Sequence, residues 1–230
     1  LVSGFLVTFV EREGRLQGTA MDQVPALVRA AGGARVTIAG GVTTAADVAA
    51  LDRFGADAQV GMALYTGAFD PADAFAAPLV SDRPDRLWPT VVADERRTAL
   101  GLAWSDAASL REAVRTRRGV YRSRSRGLWT KGETSGATQD LLRVAADCDR
   151  DALRFTVRQH GAGFCHAPAR TCWGEDGGIG RLWRTIRARA EEKGVPAGSY
   201  TRRLLDDPAL LRAKIEEEAA ELAAAEGPEA

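Results

Sequence analysis

The chain has 230 residues, 45% of them hydrophobic, and its 31 basic and 31 acidic residues leave a formal net charge of zero. That length suits roughly one to three domains with real cores, and the charge balance removes the electrostatic argument for nucleic acid or an anionic membrane as the main partner. No apolar run approaches the ~20 residues needed to span a bilayer, and the start LVSGFLVTFVEREG lacks the basic region of a signal peptide. Only Lys131, Lys193 and Lys214 are lysines. Three cysteines, an odd number with nothing pointing to secretion, read as reduced thiols of a cytoplasmic protein. The chain starts without Met and stops inside a helical pattern, which points to a fragment of a longer protein.

Residues 1–80 alternate strands and helices. GFLVTFV reads as a buried strand, DQVPALVRAAGG as an amphipathic helix ending at glycines, and RVTIAGG as a second strand. TAADVAALDRFG reads as a second helix, capped by Thr44 with Asp47 three residues on, and AQVGMALYTG as a third strand and turn. Alternation of this kind argues a parallel sheet, and three strands are too few to close a barrel. The proline-punctuated stretch PLVSDRPDRLWP, 78–89, reads as a linker. Residues 90–173 mix short strand-like runs (TVVAD, ALGLAW, GVYRSR, LLRVAADC, ALRFTVRQ) with one helix, SDAASLREAVRTRRG, an α+β pattern. GEDGGIG, 174–180, reads as a second linker. The remainder is helical: IGRLWRTIRARAEEKG, then a stretch from about Pro208 to Glu226.

The chemistry concentrates in DCDRDALRFTVRQHGAGFCHAPARTC, 147–172, which holds every cysteine, both histidines and Asp147, Asp149 and Asp151. Cys165 and Cys172 are seven apart, and Cys148 lies seventeen before Cys165. This is not the paired CxxC spacing of a structural zinc ribbon. Three thiolates without an obvious fourth ligand suit catalytic zinc, which keeps three protein ligands and a position for water. His166, beside Cys165, then serves as general base or orients that water. The aspartates alternate on what reads as a strand end, so they share one face and can hold a hard cation such as Mg²⁺. Sulfur for a soft metal and oxygen for a hard one are chemically coherent together. Singly, each feature has a bland reading: buried thiols as small apolar residues, and DxDxD as a solvated turn. Their concentration in one stretch favours metal.

DCDRDAL, GFCH and the TC that follows resemble phosphoribosyl-AMP cyclohydrolase of histidine biosynthesis. LWPTVV, YRSRSRGLWTKGETSG (121–136) and TQDLLRVAADCD extend the resemblance over about 85–173. It implies zinc held by Cys148, Cys165 and Cys172, magnesium held by Asp147, Asp149 and Asp151, and a homodimer with active sites at the subunit interface. It also implies addition of water at C6 of the adenine ring of N1-(phosphoribosyl)-AMP, with His166 moving the proton. The basic, glycine-containing run suits phosphate and ring binding through Arg122, Arg124, Arg126 and Lys131, with Glu133, Thr134, Ser135 and Gly136 in the turn that follows. The bland reading of those arginines is a solvated strand edge, and Trp129 reads as packing. ALGLAWSDAASL departs from the methionine-rich run common in this family, a change that touches packing and leaves the metal ligands intact.

Two flanking resemblances complete the chain. SYTRRLL followed by KIEEEAAEL resembles phosphoribosyl-ATP pyrophosphatase, an all-α enzyme with an EExxE magnesium motif. That assigns a second magnesium site to Glu217, Glu218 and Glu221, which are i,i+3 and i,i+4 neighbours. The family's second acidic helix is absent, so this segment is expected to be inactive as it stands. VTFVEREGRLQG, TIAGGVTT and VGMALYTG resemble the last three strands of the phosphoribosylformimino isomerase barrel. Thr8 would sit at a catalytic-side strand end there, but the catalytic aspartates lie on earlier strands, so isomerase activity does not carry over. Gly40 and Gly41 read as a tight turn in preference to a residual phosphate cradle.

The expected organisation is therefore a partial (β/α) barrel over 1–80, an α+β cyclohydrolase domain over 85–173 and a truncated all-α pyrophosphatase over 178–230. The order resembles the fungal-type multifunctional histidine-biosynthesis protein. The leading expectation is a zinc- and magnesium-dependent cyclohydrolase. The alternative is a catalytically silent, zinc-stabilised dimerisation module of a larger assembly.

Overall fold

A computed structural model describes residues 2–125, 127–167, 169–174, 178–191 and 199–225, and the chain divides into two compact units, 1–174 and 175–230. In the first unit, β1 (Gly4–Thr8), β2 (Arg35–Ala39) and β3 (Asp57–Ala58) form a parallel sheet in that order. Helices α1 (Val24–Ala30) and α2 (Ala45–Arg53) bury Val24 and Leu51 in one cluster with Val36 and Ile38. The capping box expected at α2 forms: the Asp47 amide donates to Thr44 Oγ1 at 3.1 Å, and the Thr44 amide donates to Asp47 Oδ2 at 2.8 Å.

Two expectations for this part are corrected. β1 is not buried: it lies at one edge of the sheet, and Phe5 and Leu6, which point to opposite faces, are both exposed. The third strand is two residues long, and Met62–Tyr65 forms a helical turn, α3, where strand and turn were expected. The sheet stays open, and the described residues close no barrel. Gly40 and Gly41 have φ of 87° and 83°, and a Cβ on Gly41 would stand 2.7 Å from the Gly18 carbonyl carbon. Close backbone approach is reason enough for glycine there, in keeping with the turn reading.

Helix α4 (Pro71–Ala76) joins this sheet to the next, contributing Ala72 and Phe75 to the larger core. The segment read as a linker is tied down: Trp88 Nε1 donates to the Val80 carbonyl at 2.8 Å, and the Val80 amide donates to the Arg150 carbonyl at 3.0 Å. Beyond it lie β4 (Trp88–Asp94), β5 (Ala99–Ser105), α5 (Ala107–Thr116), the hairpin β6 (Val120–Ser123) and β7 (Gly127–Thr130), then β8 (Gln139–Ala146) and β9 (Leu153–Gln159). The strand order is β5-β4-β9-β8, parallel only between β4 and β9. Strand β7 was not anticipated. Val92, Leu100, Leu110, Tyr121, Leu153 and Phe155 are fully buried in this core.

A polar chain crosses the same core. Tyr121 OH donates to Gln139 Oε1 at 2.6 Å, Gln139 Nε2 donates to Gln159 Oε1 at 2.8 Å, and Gln159 Nε2 reaches the Ala137 and Thr138 carbonyls. At its solvent end His160 Nε2 lies 2.7 Å from Asp140 Oδ2, with Arg118 on the other carboxylate oxygen at 3.5 Å.

The second unit is helical: α6 (Gly178–Glu191), α7 (Tyr200–Asp206) and α8 (Pro208–Ala224). The expected extension of the first helix to 194 and of the last to Glu226 falls outside the described residues. Ser199 caps α7, and Asp207 caps α8 through the Ala209 and Leu210 amides. No described side chain in this unit is buried. Among the described residues no helix is long and apolar enough to cross a membrane.

Tyr121→Phe should cost about 1–3 kcal/mol in urea unfolding, because it leaves the buried Gln139 oxygen without its donor. A pH effect follows at the rim. The hydrogen bond with His160 holds the Asp140 carboxyl below the usual carboxylate range. A carboxylate depressed on folding contributes stability above its unfolded pKa and loses it as pH falls through the folded value. The stability profile of Asp140→Asn should therefore be flatter than wild type below about pH 4, read by thermal unfolding across pH 2–6.

Candidate metal centre

The loop from β8 to β9 is short and closed. The Asp147 amide donates to the Ala152 carbonyl and the Ala152 amide returns to Asp147 Oδ1, both at 3.1 Å. The intervening residues are bent tightly, with Arg150 at φ 65°. Carboxylate oxygens of Asp147, Asp149 and Asp151 consequently come within 4.8 Å of one another, all exposed. The expected strand-end alternation is not the cause: β8 ends at Ala146, and the loop does the gathering. Like charges so close leave a mark. Asp151 is pushed above the usual carboxylate range, first by the charge of Asp149, then by burial and the charge of Asp147. For Asp147 burial pulls upward, but the Ala152 amide and the Asp151 side chain outweigh it and hold the group low. Arg150 does not neutralise the cluster, for it ion-pairs with Asp52 on α2.

The second group forms where the chain leaves β9 and returns to β5. The Phe164 amide donates to the Arg170 carbonyl at 3.0 Å, the Cys165 amide to Ala169 at 3.3 Å, and the Cys172 amide to Leu100 at 2.8 Å. This brings Cys172 against Cys165. The Cys172 thiol is pushed up by burial first and then by Cys165, while Lys131 pulls the other way. His166 Nδ1 lies 3.9 Å from Cys165 Sγ, and its ring is exposed. Gly101 is the permissive position: a Cβ there would run into the Phe164 ring and stand 2.9 Å from Cys172 Sγ. The departure ALGLAW thus lies directly against a candidate ligand. A glycine inside a strand pattern is the signal that could have found it. On the far side Arg170 pairs with the buried Asp94 at 3.2 Å and donates to the Gln159 carbonyl at 3.2 Å.

Cys148 sits elsewhere, exposed in the aspartate loop, its Sγ 3.9 Å from Asp149 Oδ1. Among the described residues the aspartates are the one set of three or more Asp, Glu, His or Cys ligand atoms that converges. A single chain therefore brings Cys165 and Cys172 together without Cys148. The other expected residues are scattered. Arg122 lies 3.4 Å from Asp106, and the Arg124 guanidinium lies 5.6 Å from the Trp104 ring, which Arg83 also covers. Arg126 lies outside the described residues. Glu133, Thr134, Ser135 and Gly136 form an exposed turn after β7, with Ser135 Oγ accepting from the Ala137 amide. Trp129 packs on Tyr121, ring centroids 5.3 Å apart. Lys131 is buried, donating to the Ala137 carbonyl at 3.2 Å. On α8, Glu217, Glu218 and Glu221 are exposed, and Lys214 bridges the first two at 2.8 and 3.0 Å.

Thiols paired at one turn and carboxylates crowded at another define a class: a protein with two donor groups, one suited to a soft divalent metal and one to a hard one. Comparison with known families gives the particulars. Residues 101–174 match the model of phosphoribosyl-AMP cyclohydrolase, residues 1–70 that of a histidine biosynthesis protein, and residues 179–229 that of phosphoribosyl-ATP pyrophosphohydrolase. The relatives are multifunctional. The chain is 54% identical over 149 residues to the histidine biosynthesis trifunctional protein of Neurospora crassa, covering 65% of this chain and 17% of that protein. It is 48% identical over 151 residues to a histidine biosynthesis bifunctional protein of Schizosaccharomyces pombe, covering 66% and 36%. It is 43% identical over 129 residues to a bifunctional counterpart from Thermus thermophilus, covering 51% and 59%. The chain thus spans less than a fifth of the Neurospora relative's length.

Gly101→Ala should cost about 1–3 kcal/mol through overpacking. It should also change the rate at which Cys172 reacts with a thiol reagent, measured on folded protein beside wild type.

Proposed function

We propose that residues 85–173 form a phosphoribosyl-AMP cyclohydrolase domain that opens the adenine ring of N1-(5-phosphoribosyl)-AMP by adding water at C6, a step of histidine biosynthesis in the cytoplasm. The observation that carries the reading is the cyclohydrolase match over 101–174, a stretch that contains the paired thiols, Cys148 and the converged aspartates. Cys148, Cys165 and Cys172 would hold zinc, and the donor chemistry fits, since thiolates are the preferred soft ligands. Zinc, when bound, supplies a water activated near neutral pH. Cys148 lies apart from the other two in one chain, so the reading requires a homodimer in which Cys148 of one copy reaches the pair of the other.

His166, exposed beside Cys165, takes the proton from the attacking water and returns it to the opening ring. Asp147, Asp149 and Asp151 would hold magnesium, an oxygen-preferring cation that would supply positive charge for a phosphorylated substrate. The exposed turn Glu133–Gly136 and Arg122 and Arg124 lie on the β6–β7 side, where they contact the ribose phosphate and the ring. Residues 178–230 supply part of a phosphoribosyl-ATP pyrophosphohydrolase, with Glu217, Glu218 and Glu221 as magnesium ligands once Lys214 gives way. Residues 1–80 form an isomerase-like segment.

The test is turnover of N1-(phosphoribosyl)-AMP, followed by absorbance as the ring opens, on zinc-loaded full chain with Mg²⁺. Cys165→Ser should lose both zinc and turnover. His166→Ala should keep zinc and lose on the order of 10²–10⁴-fold in kcat. A folded, zinc-bound dimer with no turnover would defeat the enzyme reading and leave the silent assembly module in its place.

A further inference from the structure

Lys131 is 8% exposed, an unusual burial for an ammonium. Its Nζ makes one hydrogen bond, to the Ala137 carbonyl at 3.2 Å, and lies 5.8 Å from the centroid of the Phe164 ring. Among the described residues it forms no ion pair with a carboxylate, although Asp and Glu are abundant in the chain. A buried cation without an anionic partner is costly, so a partner is to be expected nearby. The groups that answer are the thiols: the Phe164 ring beneath the ammonium and Cys172 Sγ lie together against Gly101, and Cys165 follows Phe164 in sequence. Burial lowers the Lys131 pKa, and Cys172 and Cys165 oppose that shift without cancelling it. The backbone fixes this arrangement from both ends. The Lys131 amide donates to the Gly119 carbonyl at 2.8 Å, and Phe164, under the ammonium, immediately precedes Cys165.

We infer that Lys131 is the built-in counter-cation of the Cys165–Cys172 thiolate pair, a positioning residue for the metal ligands and not an anchor for the substrate phosphate. The inference rests on the reading of those thiols as zinc ligands. Three thiolates against one divalent ion leave a net negative charge, and one ammonium cancels it. A phosphate anchor needs an ammonium that solvent and substrate can reach, whereas Lys131 is buried, with its Nζ over the Phe164 ring and bonded to the Ala137 carbonyl.

The experiment uses the full chain and its Lys131→Met variant. Zinc affinity is measured by competition with a chromophoric chelator, and AMP binding is measured in parallel as a probe of the substrate site. Zinc affinity should fall by about 10–100-fold, the usual effect of losing a group that supports metal ligands, while AMP binding stays unchanged. Unchanged zinc affinity in a folded variant, or lost AMP binding with zinc intact, would overturn the assignment. A second measurement does not depend on the variant folding. Selective ¹⁵N-lysine labelling gives few signals, since the chain has Lys131, Lys193 and Lys214 only. The Lys131 ammonium resonance should move when zinc is added to wild type and stay put in Cys172→Ser. No movement at zinc saturation refutes the inference. Failure of wild type to bind zinc would sink the zinc reading together with it, whereas equal binding by wild type and variant sinks this inference alone.

Discussion

The Cys172 amide can donate to the Leu100 carbonyl at 2.8 Å because residue 101 carries no side chain, and much of the candidate centre hangs on that approach. The chain leaving β9 doubles back at Gly163, where φ is 133° and a Cβ would stand 2.6 Å from Arg170 Cα. It then lays the Phe164 ring and Cys172 Sγ over Gly101. Two backbone hydrogen bonds, Phe164 to Arg170 and Cys165 to Ala169, hold the doubled segment together. The Arg170–Asp94 pair fastens it to β4 with both side chains largely shielded from water. An ion pair in such a place adds little net stability, yet breaking it strands a charge, so it fixes position more than it adds strength. Without the close approach at 101 the Phe164 ring would shift, and Cys165, next in sequence, would shift with it.

The two donor groups are held by opposite electrostatic means. In the aspartate loop the fold forces like charges together and keeps the available cation away: Arg150 points to Asp52 on α2, and the Ala152 amide serves Asp147 alone. The repulsion appears as the upward shift at Asp151. In the thiol group the fold places a cation beforehand, as the Lys131 ammonium lies over the Phe164 ring with no carboxylate among the described residues to satisfy it. An exposed turn can tolerate uncompensated charge because water screens it. The thiols are less open on one side only: Cys165 is partly buried, Cys172 is exposed, and burial still pushes the Cys172 thiol upward.

Composition and spacing made much of this legible, though not always for the right reason. The aspartates do converge, but through a closed turn and not through strand alternation, since a DxDxD spacing is compatible with either. The apolar run GFLVTFV gave a strand, yet an apolar run does not distinguish a buried strand from an edge one; β1 exposes Phe5 and Leu6 because burial depends on what lies beside it. Strand β7, four residues of GLWT, is too short for any period to register. Lys131 stood out as a rare lysine, but its burial arises from residues near 119, 137 and 164, separations that no local pattern carries. The distance between Cys148 and the other thiols belongs to the tertiary fold alone.

The helical unit is held by different means. Among its described residues these are caps at Ser199 and Asp207, i,i+4 pairs such as Arg187–Glu191 and Arg202–Asp206, and two bonds between α6 and α7: Arg202 to the Ala190 carbonyl at 2.7 Å and Arg189 to Thr201 Oγ1 at 3.2 Å. Each exposed pair contributes only a few tenths of a kcal/mol, and helices as short as the seven residues of α7 are marginal in water without an apolar face to bury. Ile179, Ile215 and Leu222 each leave more than half their surface exposed. The carboxylates of Glu217, Glu218 and Glu221 are therefore placed by helical periodicity and by Lys214, with no packed neighbour to fix their rotamers. A metal site needs ligands held in place by surrounding packing and hydrogen bonds. The aspartate loop has that support in its closed turn, and the thiols have it in the seat at Gly101, whereas the glutamates of α8 have helical spacing and the exposed pairs to Lys214.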